Sequence, residues 1–255
     1  MSSRTWLRAL LFLLFLCFGF GLLSDLLQDS GEPAPPRPTA SPGAAPTRQP
    51  SVPPEPAGEA ILVLGVDDLG KDHPRLLAVW LVAHDPAQDL VLLYGIPISA
   101  SAPEGDDRPL AALFDWSRKK GIDRDFERAL ASLAPLPHRA VVVMDETAFA
   151  TAVDVLGGAD LGGTLLDGEE VLAFLRLLQT KPEALLAAQA ELLLALRPAL
   201  QDLGPTPDIS ELEQLHPKHV SLSLKPQQLA ALVAPMLPFE AGAIRVGTLL
   251  DQPAP

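Results

Sequence analysis

The chain has a single cysteine, Cys17, in 255 residues. A lone cysteine excludes an intrachain disulfide, so any part that folds in an oxidising compartment must hold together by packing alone. Because Cys17 sits inside an apolar run, no thiol is available elsewhere for nucleophilic chemistry. Basic residues are also scarce. The 19 Lys and Arg against 32 Asp and Glu give a net charge of −13, which argues against a nucleic-acid partner, since phosphate backbones are bound by clustered Lys and Arg. There is no Gly-x-Ser-x-Gly elbow. The histidines, His73, His84, His138, His216 and His219, show no metal-ligand spacing. The Gly157-Gly158 and Gly162-Gly163 pairs lack the context of a phosphate-binding loop and read as turns.

What is present divides the chain into unlike regions. From Ala9 to Leu23 every residue is apolar or Gly, with Arg4 and Arg8 before the run and Asp25, Asp29 and Glu32 after it. This predicts a single transmembrane helix over 6–27 with residues 1–5 in the cytoplasm and the remainder exported, the protein sitting in the cell membrane. A cleaved signal peptide is the rival reading, because the run is short for a span, but 21–30 offers no small-x-small cleavage site. Leu16 is too large for the residue that precedes a lipoprotein cysteine. Residues 28–58 form a Pro-rich linker, with ten prolines over 31–58 and Val52 as the one larger aliphatic residue there. Such a segment buries too little apolar surface to offset its ordering entropy and should be an extended spacer. A single folded domain is expected over 59–250, followed by a disordered tail at 251–255.

Within that domain, near-continuous apolar runs at 61–66, 76–83 and 90–93 predict central strands covered on both faces. The breaks at 67–72 and 85–89 carry the Asp, Gly and Pro chemistry of turns and gather polar groups at strand ends. Short helices are predicted over 110–116 and 126–133 around the basic turn 118–121, read as a solvated helix end. A strand follows at 139–144, then a helix to 156 that is N-capped by Asp145 and stopped by Gly157. Residues 180–183 read as a capping box for a helix over 184–196 that is apolar on almost every face, with Pro198 kinking or ending it and Gly204-Pro205 closing it. The last elements are a strand at 220–224, a helix at 226–232 and a strand at 243–249. This order predicts an α/β fold, a three-layer α/β sandwich with a mixed central sheet.

Several motifs resemble those of the LytR-CpsA-Psr (LCP) family. The strand ending Gly65-Val66-Asp67, the Arg75-Leu76-Leu77-Ala78 segment and Ile96-Pro97-Ile98-Ser99 keep the frame of the family's Gly-x-Asp, Arg-Ser-Asp-Thr and Ile-Pro-Arg-Asp elements. Val153–Asp160 matches Val-Asp-x-Leu-Gly-Gly-x-Asp, and Leu166-Asp167-Gly168-Glu169 opens the segment in which Arg176 is the first arginine of the family's Arg-x-Arg. Gln189 is the best match to a glutamine of the Arg-x-x-Arg-Gln-Gln helix. Leu77 stands where the family has an acid, and Ile98 and Leu178 where it has arginines.

The resemblance implies an extracytoplasmic, membrane-anchored protein of cell-envelope biogenesis that transfers a polyprenyl-pyrophosphate-linked glycopolymer to the cell wall. On that reading Asp67, Arg75 and Arg176 are catalytic, Asp67 holds Mg²⁺ or Mn²⁺, and Gln189 binds substrate. The 184–196 helix would then wall a tunnel for the polyprenyl lipid, or else simply be core. The alternative reading is a non-catalytic LCP-like domain, a pseudoenzyme that binds a polyprenyl lipid or an envelope partner. The partners that the resemblance implies are a polyprenyl-linked lipid and a cell-wall polymer.

Overall fold

The computed structural model describes residues 60–102, 107–134, 136–202, 214–236 and 244–248. The predicted anchor, the linker, the tail and Gly204-Pro205 lie outside them. No helix among the described residues is long and apolar enough to cross a membrane.

Among the described residues ten strands form: β1 (Ala60–Val66), β2 (Leu76–Asp85), β3 (Leu90–Gly95), β4 (Trp116–Ser117), β5 (Gly121–Ile122), β6 (His138–Asp145), β7 (Ala159–Leu161), β8 (Thr164–Leu166), β9 (Val220–Leu222) and β10 (Ile244–Thr248). The helices are α1 (Leu110–Leu113), α2 (Arg124–Leu133), α3 (Glu146–Val155), α4 (Gly168–Leu178), α5 (Pro182–Asp202) and α6 (Pro226–Val233). The main sheet is mixed, in the order β10-β3-β2-β1-β6-β9. β1 lies inside it, antiparallel to β2 and parallel to β6.

Every residue of β1 is buried, as its unbroken apolar run requires. Alternation sends Ile61 and Val63 into one core with Trp80, Phe149, Leu175 and Leu186, and Leu62 and Leu64 into a second with Leu110, Phe126 and Leu130. Helices α3 to α6 contribute to the first core, α1 and α2 to the second.

The local signals act as chemistry dictates. Asp145 accepts from the Ala148 amide at 3.1 Å and caps α3; Gly157, with φ of 86°, turns the chain beyond it. Asp167 and Glu170 close a capping box at the start of α4. Gly168 is packed so tightly on the backbone of Ala150 that a Cβ there would collide with it, which sets how closely α4 approaches α3.

Three sequence expectations need correction. Residues 116–122 form the β4–β5 hairpin, so the basic turn joins two strands instead of ending a helix. The long helix begins with Pro182 at its first position, so Lys181, whose ammonium cannot accept from the free amides, precedes it where Thr180 was expected to cap. That helix also continues through Pro198 to Asp202. The proline ring removes the donor to the Leu194 carbonyl, at a residue that is 40% exposed.

Candidate functional site

Parallel β1 and β6 end side by side, Val66 opposite Asp145, and Asp67 and Glu146 follow directly at their carboxyl ends. The chain leaves β1 at Asp67 and returns to β2 through a tight loop. Asp67 Oδ1 accepts from the amides of Asp68 at 2.9 Å and Arg75 at 2.8 Å, so one carboxylate oxygen clamps both ends of the loop. Asp67 Oδ2 accepts from Lys71 Nζ at 2.8 Å. Burial works against the charge on Asp67, but the Lys71 ammonium and the amides outweigh it and hold the carboxyl below its ordinary value. The same carboxylate raises the pKa of Lys71.

The two arginines are also partnered. Arg75 Nη2 donates to Gln179 Oε1 at 3.0 Å, just past the end of α4. One turn earlier, Arg176 forks onto Glu146, with Nη2 donating to Oε2 at 2.7 Å and Nε to Oε1 at 3.4 Å. That carboxylate holds Arg176 even more firmly charged than usual. Asp67, Arg75 and Arg176 thus share one end of the sheet, each tied to a neighbour.

Gln189 is placed differently. It is buried, its Oε1 accepts from Trp80 Nε1 at 3.2 Å, and its Nε2 donates to the Leu77 carbonyl at 3.1 Å. Its amide bridges α5 to β2 through the core. Beside it Leu77, Glu146, Leu175, Gln179 and Gln189 enclose a void of about 10 Å³, room for about one water molecule. Leu186 and Trp80 fill the space over Gly95, where even a Cβ would meet them at 2.7 and 2.8 Å. On this side the apolar helix packs into the core through Leu185, Leu186, Leu192 and Leu193. Leu77 and Leu178 pack with this core, whereas Ile98 packs with the second one, so the aliphatic replacements at 77 and 98 do not lie in one pocket.

Sequence reasoning missed Lys71, Glu146, Gln179 and His219. Lys71 had a signal, its i+4 spacing from Asp67; Glu146 stands 30 residues from Arg176 and had none. His219 Nδ1 lies 2.8 Å from Asp145 Oδ2, within hydrogen-bonding distance of that buried carboxyl group. Asp145 also accepts weakly from the Leu69 amide at 3.4 Å, pinning the β1 loop to α3. On the opposite face lies a wider groove of about 670 Å³, floored by Val141 and Val143 and walled by Arg118, Asp123 and Arg124. None of the sequence-predicted site residues lines it, and Arg118 is engaged with the carbonyls of Pro217 and Lys218.

No family model and no curated protein matches this sequence. Solved structures do match the fold. A LytR-Csp2A-Psr enzyme from Actinomyces oris is 22% identical with a TM-score of 0.58, the match covering 76% of this chain and 81% of that one. TagV of B. subtilis is 17% identical with a TM-score of 0.57, over 76% and 84% of the two chains. A TagT structure bound to LIIa-WTA is 19% identical with a TM-score of 0.56, over 79% and 82%. The described domain is LCP-like in fold.

Proposed function

From an LCP-like fold whose strand-end charges are already partnered within the chain, we propose that this protein is a non-catalytic envelope domain that binds cell-wall polymer without transferring it. In this reading residues 6–27 anchor it in the membrane, residues 28–58 space it from the bilayer, and the domain faces the wall as a three-layer sandwich. TagT, solved with LIIa-WTA, supports the class of ligand.

The observation that carries the reading is the void of about 10 Å³ where Leu77, Gln189 and the two arginines' partners meet. A polyprenyl carrier would need a channel along this helix, and beside Gln189 the space lined by Leu77, Leu185 and Gln189 admits about one water molecule. Transfer also needs cations free to meet the charge that develops on a leaving pyrophosphate, where one lost donor costs about 3 kcal/mol. Arg176 would first have to leave Glu146, and Leu178 and Ile98 offer no substitute.

The transferring reading keeps one observation in its favour: Asp67, Arg75 and Arg176 do converge on one end of the sheet. The two readings separate in one experiment. Full-length protein in detergent is incubated with a lipid-linked wall polymer and with sedimented cell walls bearing that polymer. We expect retention on the walls and no lipid phosphate released above an Asp67→Ala control. Release above that control would restore the transferring reading, and absence of retention would remove polymer binding.

A further inference from the structure

We propose that the Lys71 ammonium is the resident cation of this site, standing at the Asp67 carboxylate in place of the divalent metal ion that the fold family implies. The inference deepens the non-transferring reading and rests on it only for its biological sense, because its geometry is independent of any activity.

The residues present do not fit Mg²⁺ or Mn²⁺. A hard divalent cation collects several oxygens, and Mg²⁺ demands a near-octahedral set. At Asp67, Oδ1 is already shared by two amides and Oδ2 faces the ammonium at 2.8 Å. The neighbouring carboxylates are committed elsewhere. Asp68 Oδ1 accepts from the Gly70 amide at 2.8 Å, Asp145 holds Ala148 and His219, and Glu146 holds Arg176. Position 77, where a second acid would stand, is a buried leucine. Among the described residues, no group of three His, Cys, Asp or Glu side chains could hold a metal ion.

The loop is shaped to deliver the lysine instead. The Asp68 side chain caps the Gly70 amide and the Asp68 carbonyl accepts from the Lys71 amide at 3.2 Å, folding the chain back so that residue 71 lies over residue 67. Asp67 is 17% exposed and Lys71 53% exposed, so the ammonium covers the carboxylate from the solvent side, the side from which an ion would enter. Burial alone would leave the Asp67 charge poorly compensated; one internal cation and two amides supply the compensation.

The test uses full-length protein in detergent with Mn²⁺ as the probe. Free Mn²⁺ is read by electron paramagnetic resonance, and melting is followed with Mn²⁺ or with chelator. Wild type should leave the Mn²⁺ signal unchanged at millimolar levels and melt at the same temperature in either condition. Removing the like charge in Lys71→Gln should raise Mn²⁺ affinity about tenfold or more, and Lys71→Arg should restore wild-type behaviour. Mn²⁺ uptake by wild type that disappears in Asp67→Asn would overturn the proposal. So would a Lys71→Gln protein that melts like wild type and takes up no more Mn²⁺ than it does. The two readings fail separately: a protein that transfers polymer without taking up Mn²⁺ sinks only the non-transferring reading, and one that takes up Mn²⁺ at Asp67 without transfer sinks only this one.

Discussion

Gln189 shows how one residue can match a motif and serve another purpose. Both ends of its amide are engaged inside the core, with the Trp80 indole on one side and the Leu77 carbonyl on the other. Replacing it with Leu keeps most of the volume but orphans a buried donor and a buried acceptor, each worth about 1 to 3 kcal/mol. Gln189→Leu should therefore lose about 2 to 6 kcal/mol of stability in urea unfolding and retain wall binding at temperatures where it is folded. A variant that keeps full stability and loses wall binding would instead make Gln189 a ligand contact. At this scale the sequence was informative about residue type and silent about partners. Asp145 could be read as an N-cap from its position before an apolar run. That it also receives His219, 74 residues away, depends on where β9 lies in the sheet, which no local pattern encodes. The Arg176–Glu146 fork was hidden for the same reason.

Among the elements, β6 carries both the site and a pH response. Its first residue, His138, pairs with Ala60 at the entry to β1 and is half-buried. Burial lowers its pKa from 6.5, with the Glu127 charge pulling weakly the other way. The unfolded chain then takes up a proton at a higher pH than the folded one, so acid favours unfolding. Stability from this group is complete above about pH 6.5 and declines as pH falls below it, toward the folded-state value. In urea titrations at pH 7 and at progressively lower pH, His138→Gln should show a smaller drop in midpoint than wild type, and an identical drop would remove this assignment. Long elements were the legible ones. The apolar runs of β1, β2 and β6 announced buried strands because only strands covered on both faces tolerate such composition. The β4–β5 hairpin escaped because its strands are two residues each, too short for a period to register. The end of α5 was misplaced because an interior proline weakens a helix without always ending it, and here the helix runs on through Pro198 to Asp202.

For the whole molecule, the pattern of elements pointed to an α/β domain with a mixed sheet, and six strands with helices packed on the faces are what forms. The motif frame resembling the LCP family was legible because it consists of glycines, turn acids and strand apolars that build the scaffold. Loss of its charges was legible too, but their replacement by internal pairs was not. The proposed orientation in the membrane rests on Arg4 and Arg8 before the apolar run and acids after it. An alkaline phosphatase fusion after Gly58 should accordingly be active and remain with the membrane fraction. An inactive fusion would reverse the topology, and an active but soluble one would mean that the apolar segment is cleaved.

The strand by which the chain enters the domain lies in the interior of the sheet. β1 is bonded along its length to β2 on one side and to β6 on the other. Tension arriving through the segment before Ala60 would therefore act along the strand and load both ladders in shear, with many hydrogen bonds sharing the force at once. Were the chain to enter through an edge strand such as β9, the same pull would part its bonds one after another, like a zip. Pulled from the side of Ala60, the domain is gripped at a strand bonded on both edges.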